Sequence, residues 1–289
     1  MEAITEPGTI DQLVADTARH GHQAGERLIR DWTERGLLDY PQRRPAGKGH
    51  GSRPALYPAS QRNLLLTLLH HRPTNKIRSL ARIPVFIWTY WGDDFVSTSQ
   101  ALRAMNTWLG DPRVSIAQAR KSAQGILKQL DNPNATSTAR RELLETVSKI
   151  AYTGQANYPR LESAVRAVFE PDHDQGSRAV GHPAAPMMAH TIVDLTMANL
   201  TAINRFAAGK VAQDEFRQAR HLHLVTHAEY AANQPQLAAA APITHPDMYE
   251  PVTAEDALAN CCGHLLTTIG LATLRPDSAA RIAAATSTF

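Results

Sequence analysis

The stretch Glu26–Pro58, ERLIRDWTERGLLDYPQRRPAGKGHGSRPALYP, decides how the first part of the chain is read. Leu28, Ile29 and Trp32 recur at helical spacing and predict one broad apolar face on a helix from Gln23 to Arg35. Gly36 follows, a residue able to take the positive φ on which many helices end. Leu37 and Leu38 can anchor to a core, Pro41 to His50 is too rich in Gly and Pro to be helical, and the apolar ALYP then returns. That order predicts a β-hairpin with a basic tip. Upstream, TIDQLVADTA offers Thr9 as an N-cap and sets Ile10, Leu13, Val14 and Thr17 at helical spacing, while Gly21 in RHGH suits a tight connection. Helix, turn, helix and hairpin in that order describe a helix-turn-helix with a wing. A further helix, SQRNLLLTLLHHR from Ser60 to about His71, closes the small domain.

The charge is unevenly placed. The chain of 289 residues has a formal net charge of +3, yet from Tyr40 to Gly92 it carries nine Lys or Arg and no Asp or Glu, leaving −6 for the rest. Segregation of this kind favours a polyanion such as double-stranded DNA, whose phosphates reward clustered cations by releasing counterions; the alternative is a solvated face. Arg27, Arg30, Arg43, Arg44, Lys48, His50 and Arg53 are the expected DNA-binding set. A helix in the major groove with a wing on the adjacent backbone would use them together, Arg27 or Arg30 being placed to read guanine.

The pattern RLIRDWTERGLL, then the arginine pair, the glycines and Tyr57, resembles the winged helix-turn-helix of the MerR family of transcriptional regulators over roughly residues 9 to 72. On that resemblance Arg30 corresponds to the family's helix arginine, Trp32 to its second aromatic, and Gly36, Leu37 and Leu38 to its helix end. Arg43 and Arg44 correspond to wing arginines and Tyr57 to the tyrosine that closes the wing. Leu28 stands where the family has threonine, Asp31 where it has its first aromatic, and the wing is longer, so base-reading details do not transfer. The resemblance implies a DNA-binding transcriptional regulator for the first quarter of the chain. No long heptad helix of the kind by which ordinary MerR proteins dimerise follows it.

Pro73 in HHRPTN breaks the preceding helix, which sets expected domains at 1–72 and 73–289. Beyond it, eight segments read as helices: those beginning at Ile77, Thr98, Ser115, Ser137, Tyr158, Met187, Ala212 and Thr253. Separators rich in Pro, Gly, Asn and Asp, among them FEPDHDQGSRAVGHPAAP and NQPQLAAAAPITHPDMYEP, divide them. The expected fold is mostly α, a winged helix-turn-helix followed by an all-helical bundle for dimerisation or effector sensing.

Other constellations have ordinary explanations. Trp32 is assigned to packing, and Trp88, Tyr90 and Trp91 in VFIWTYWGDD to apolar core at the joint between domains rather than to stacking on a ligand. His223 and His227 stand at the i, i+4 spacing of a metal-binding helix, with His221 beside them, but no Glu follows the first His as a zinc protease requires. Cys261 and Cys262, near His264, suit soft ions; adjacent helical residues point about 100° apart, which favours buried small side chains instead. PAGKGHGS lacks P-loop spacing, and Asp172 to Asp174 read as a turn. No enzyme signature or cofactor is therefore expected. The alternatives are an architectural or excision factor that bends DNA, and a helical metal sensor or enzyme using His223, His227, Cys261 and Cys262. The acidic opening MEAITEPGTIDQL, adjacent cysteines and no apolar run of bilayer length lead to the expectation of a cytoplasmic protein, with a homodimer binding duplex DNA, an effector, and no membrane.

Overall fold

The computed structural model describes residues 3–45, 52–111, 115–171, 188–240 and 253–277. Those residues form eleven α-helices, one short 3-10 helix and a two-stranded antiparallel sheet, so the protein is mostly helical as expected. The chain divides into two compact units. Unit 1 takes residues 1–110, 211–224 and 253–264, and unit 2 takes 111–210, 225–252 and 265–289. Where the sequence places a boundary at residue 72, unit 1 instead runs on to Gly110 and recruits two segments from the last third of the chain.

Unit 1 opens with α1 (Ile10–Arg19) and α2 (Glu26–Glu34). Thr9 caps α1 through a capping box in which Gln12 reaches back to the Thr9 nitrogen at 2.8 Å. Both helices end in the same way. The nitrogens of Gly21 and His22 bond to the carbonyls of Ala18 and Thr17, and those of Gly36 and Leu37 to the carbonyls of Thr33 and Trp32, with φ of 76° at Gly21 and 74° at Gly36. This six-to-one and five-to-two pairing requires a left-handed residue, which glycine supplies without a Cβ penalty. α2 is three residues shorter at its start than the sequence suggests, because the extended Gly25, not a side chain, caps it.

After α2, Leu37 and Leu38 are buried with Leu13, Ile29 and Trp32, and β1 (Gln42–Pro45) pairs with β2 (Ser52–Leu56). Tyr57 exchanges two backbone bonds with Gly8, which ties the start of the chain to the end of the hairpin. α3 (Ala59–His71) sends Leu64, Leu65, Leu68 and Leu69 into the core, while its buried Arg62 holds Asp16 of α1 at 2.7 Å and the Glu6 carbonyl. A buried charge is tolerated only with such pairing.

α4 (Ile77–Trp91), a 3-10 turn (Gly92–Asp94) and α5 (Thr98–Leu109) complete the continuous part of unit 1. Trp88 is buried and stacks on Phe216, ring centroids 4.3 Å apart, whereas Trp91 is 56% exposed and does not join the apolar core expected of it. Phe216 belongs to α10 (Gln213–Ala240), whose Arg220 donates to the Trp88 and Thr89 carbonyls at the end of α4. A cation there complements the negative end of the helix dipole.

Unit 2 holds α6 (Ile116–Leu130), α7 (Ser137–Thr153), α8 (Tyr158–Phe169) and α9 (Ala189–Ala207), around Leu143, Val147, Leu161, Val165, Val168, Phe169 and Val193. α10 continues past Asn233 through Pro235, where a loop is expected; the Ala-rich run around that proline has high helix propensity. α11 (Ala254–Leu274) corrects the expectation that no apolar run reaches bilayer length. Its most apolar window has a mean hydropathy of 1.4, enough by length and composition to cross a membrane, with 33% of that window buried inside the protein. Cys261, Cys262, Leu265, Leu266 and Ile269 supply much of that apolarity and are core residues.

The two glycine turns differ in one testable respect. A Cβ on Gly36 would overlap the backbone of Arg103 and Ala104 in α5, whereas one on Gly21 meets nothing within 4 Å. Gly21→Ala should therefore cost only the left-handed conformation, about 1–2 kcal/mol, and Gly36→Ala a further 1–3 kcal/mol or so of steric strain. Urea unfolding of the two variants measures the difference, and equal losses would contradict the close approach of α5.

Candidate nucleic-acid interface

Three of the expected cations sit on the hairpin. Arg44 faces Arg53 directly across the sheet, and the register shifts between Gln42 and Arg44, so that two residues of β2, Pro54 and Ala55, stand opposite Arg43 as a bulge. In a regular strand Arg43 and Arg44 would point to opposite faces. Here both nevertheless line one groove of about 520 Å³ with Arg53 and the bulge residues Pro54 and Ala55. All three guanidinium groups are exposed, and among the described residues none has a carboxylate partner; Arg44 Nε donates to the Pro54 carbonyl at 3.3 Å. Like charges placed directly opposite destabilise a hairpin. Lys48 and His50 lie outside the described residues.

α2 presents a different balance. Arg27 is exposed and has no acidic partner among the described residues. Arg30 is held by Glu26 one turn earlier, at 2.7 Å, and Arg35 by Asp31 at 2.9 Å. The exposed face of α2 is thus close to neutral, with carboxylates at Glu26, Asp31 and Glu34. Trp32 is 1% exposed, in keeping with its assignment to packing. Between α1, α2 and the hairpin runs a second groove, about 430 Å³, lined by Asp11, Arg30, Glu34, Tyr40, Pro54 and Tyr57 among others. Tyr40 donates to Glu34 at 2.9 Å, and that bond, with lesser help from burial, raises its hydroxyl pKa.

The geometry also shows residues to which the motif gave no clue. Asp39, between α2 and the hairpin, accepts from Ser97 Oγ at 2.6 Å and from Arg103 at 3.0 Å. Its own nitrogen donates to buried Gln61, and Gln61 and buried Gln100 exchange bonds of 2.8 and 3.2 Å. Gln100 further donates to the Leu37 carbonyl, Gln61 to that of Phe95, and Thr107 to that of Arg35. α5 therefore fastens the segment that joins the helix face to the hairpin. The only signal in the sequence is a run of polar residues at helical spacing from Ser97 to Thr107, which reads as a solvated face.

His223 and Cys261 have partners within unit 1. His223 is buried, its Nδ1 2.7 Å from Nδ1 of His264 and its Nε2 3.1 Å from the Tyr90 hydroxyl. One of the two facing Nδ1 atoms must lack a proton for that contact to be a hydrogen bond. Cys261 Sγ lies 3.5 Å from Thr89 Oγ1, and both cysteines are buried. Among the described residues no group of three or more His, Cys, Asp or Glu stands close enough to hold a metal ion. Burial pushes the Cys261 thiol from its ordinary 9.0 up to about 11, and pushes Cys262 higher still, so both are protonated near neutrality. Burial first, and then the charge of Cys261, raises Tyr90 as well. Asp172 to Asp174 lie outside the described residues.

Comparison of the chain with protein-family models, with curated proteins and with solved structures finds no match.

The cysteine environment has an alkaline consequence. A folded-state pKa raised above the unfolded value gives stability that is complete below the unfolded value and lost as pH rises through the folded one. Unfolding free energy should accordingly fall between pH 9.0 and about 11. The double variant Cys261→Ala, Cys262→Ala should show a shallower fall, whatever its absolute stability. Equilibrium unfolding at a series of pH values reads the slope, and identical slopes would refute burial of the thiols.

Proposed function

We propose that this chain is a sequence-specific DNA-binding transcriptional regulator, with α1, α2 and the hairpin acting as a winged helix-turn-helix. The observation that carries the reading is the cross-strand Arg44 and Arg53, with Arg43 lining the same groove and no acid within ion-pair distance among the described residues. Such a trio costs the fold stability when it stands alone and gains it when a phosphate enters between the guanidinium groups. Backbone contacts of this kind position a protein on a duplex without reading sequence.

Reading is assigned to α2. Its exposed face pairs cations with carboxylates, so it adds little general attraction, and it offers donors and acceptors that suit base edges. Arg30, preorganised by Glu26, and the unpaired Arg27 are the residues assigned to guanine. The hairpin then supplies affinity and the helix supplies discrimination. Two copies of the chain, bound about one DNA turn apart, would read a site of two-fold symmetry, and the helical remainder would receive an effector.

The division of labour can be measured. Replacing Arg43, Arg44 and Arg53 together by Gln should weaken binding to random and selected duplexes alike, and lower the slope of log affinity against log salt by about 2–3, near 0.9 for each lost phosphate contact. The same variant should be at least as stable as the parent, since a like-charge pair is removed. Arg27→Gln should instead lower affinity for a selected site more than for random DNA. Fluorescence anisotropy across a salt series, with sites first enriched from a random library, tests both. A chain that binds no duplex at low salt, or a triple variant with the parental slope, would exclude this function.

A further inference from the structure

From a cleft in unit 2, independent of the DNA reading, we infer a binding site for a small oxyanion, a carboxylate or phosphoryl group carried on a short apolar body. The cleft lies where α7 turns into α8 and measures about 240 Å³, room for about eight water-sized groups. Thr146, Lys149, Ile150, Thr153, Gln155, Ala156, Asn157 and Arg160 line it, with no carboxylate among them. Lys149 and Arg160 are exposed and have no acidic partner among the described residues, although Glu145 is only one turn before Lys149.

Thr146 is the residue that points to a ligand. Threonines in helices usually satisfy their hydroxyl by donating to a carbonyl one turn back. Thr17, Thr33, Thr67, Thr89, Thr153, Thr196 and Thr273 all do so. Thr146 is 4% exposed and its Oγ1 has no hydrogen-bond partner among the described residues. A buried hydroxyl left unpaired costs about 1–3 kcal/mol, a cost that an acceptor on a bound molecule would remove.

The surrounding backbone is already fixed. Gly154 turns the chain with φ of 69°, and Asn204 of α9 donates to its carbonyl at 2.8 Å. Thr153 Oγ1 accepts from the Gln155 nitrogen, and Asn157 Oδ1 caps α8 by accepting from the Arg160 nitrogen at 3.0 Å. The positive end of the α8 dipole adds to the two side-chain cations, and Ile150 and Ala156 provide an apolar wall. An anion with a few carbons attached satisfies every part of this lining, whereas a cation or a purely apolar molecule leaves both charges unmatched.

The test uses the full chain carrying Arg43→Gln, Arg44→Gln and Arg53→Gln, so that anions at the hairpin do not contribute. Thermal unfolding is followed in increasing sodium phosphate and, separately, in increasing sodium propionate, each against sodium chloride of matched ionic strength. A saturable rise in Tm in the phosphate arm assigns a phosphoryl ligand, and one in the propionate arm a carboxylate. Adding Lys149→Gln and Arg160→Gln should weaken the response at least tenfold. Thr146→Val, which keeps the shape and removes the hydroxyl, should weaken it threefold or more while leaving the ligand-free Tm unchanged or higher. Absence of a saturable response in both arms, or a response that survives loss of Lys149 and Arg160, overturns the site. So does a Thr146→Val chain that is less stable without ligand yet binds as tightly as before.

Discussion

The amide pair Gln61 and Gln100 is the interaction on which the arrangement of unit 1 depends. Both side chains are buried, yet every polar atom on them is bonded: to each other, to the Asp39 nitrogen, and to the Leu37 and Phe95 carbonyls. Three of those groups lie in irregular backbone, which has no ladder of its own to satisfy it. Were either glutamine apolar, backbone groups at the junction between α2 and the hairpin would be buried without partners, at about 1–3 kcal/mol each. The pair therefore does more than add stability: it admits one conformation of residues 36–40. That conformation in turn sets the angle between the exposed face of α2 and the arginine-lined groove.

α5 reinforces the same point by steric means. Its backbone lies against Gly36, its Arg103 bonds Asp39, and its Thr107 bonds the Arg35 carbonyl. A helix more than sixty residues downstream thus governs the end of α2, which explains why unit 1 does not stop at residue 72. Pro73 breaks a helix, as the sequence says, but breaking a helix is not ending a core. The apolar residues Leu80, Val85, Ala101, Ala104 and Met105 continue the same buried layer.

What was legible in the chain follows from how local each cause is. The helices were readable because 3.6-residue periodicity, Thr9 and the two turn glycines act within a few positions, and the structure holds Thr9 and both glycines at the expected helix ends. The Gly-rich, acid-free segment likewise reads as a hairpin from composition alone. Three things were not legible, for one physical reason. The bulge at Pro54 and Ala55, the bonds at Asp39 and the exposure of Trp91 each depend on a partner distant in sequence, or on the lack of one. Periodicity says that Trp91 belongs to an apolar helix. It does not say which stripe of α4 the segment 211–224 covers, and Trp88 and Trp91 differ only in that.

The charges show the same limit in a form that bears on function. Seven residues qualify as cations or near-cations on the expected face, but a count of positive groups treats them as equivalent. Arg30 spends its charge on Glu26, four residues away, a pairing visible in the sequence as E-x-x-x-R on a helix. Arg44 and Arg53 are ten residues and more from the nearest acids before and after them except Asp39, which Arg103 and Ser97 already occupy. Because the acid nearest the hairpin in sequence is bonded to Arg103 and Ser97, it makes no ion pair with the groove arginines. The contact that fixes the shape of the junction is thus also the one that leaves its charge available.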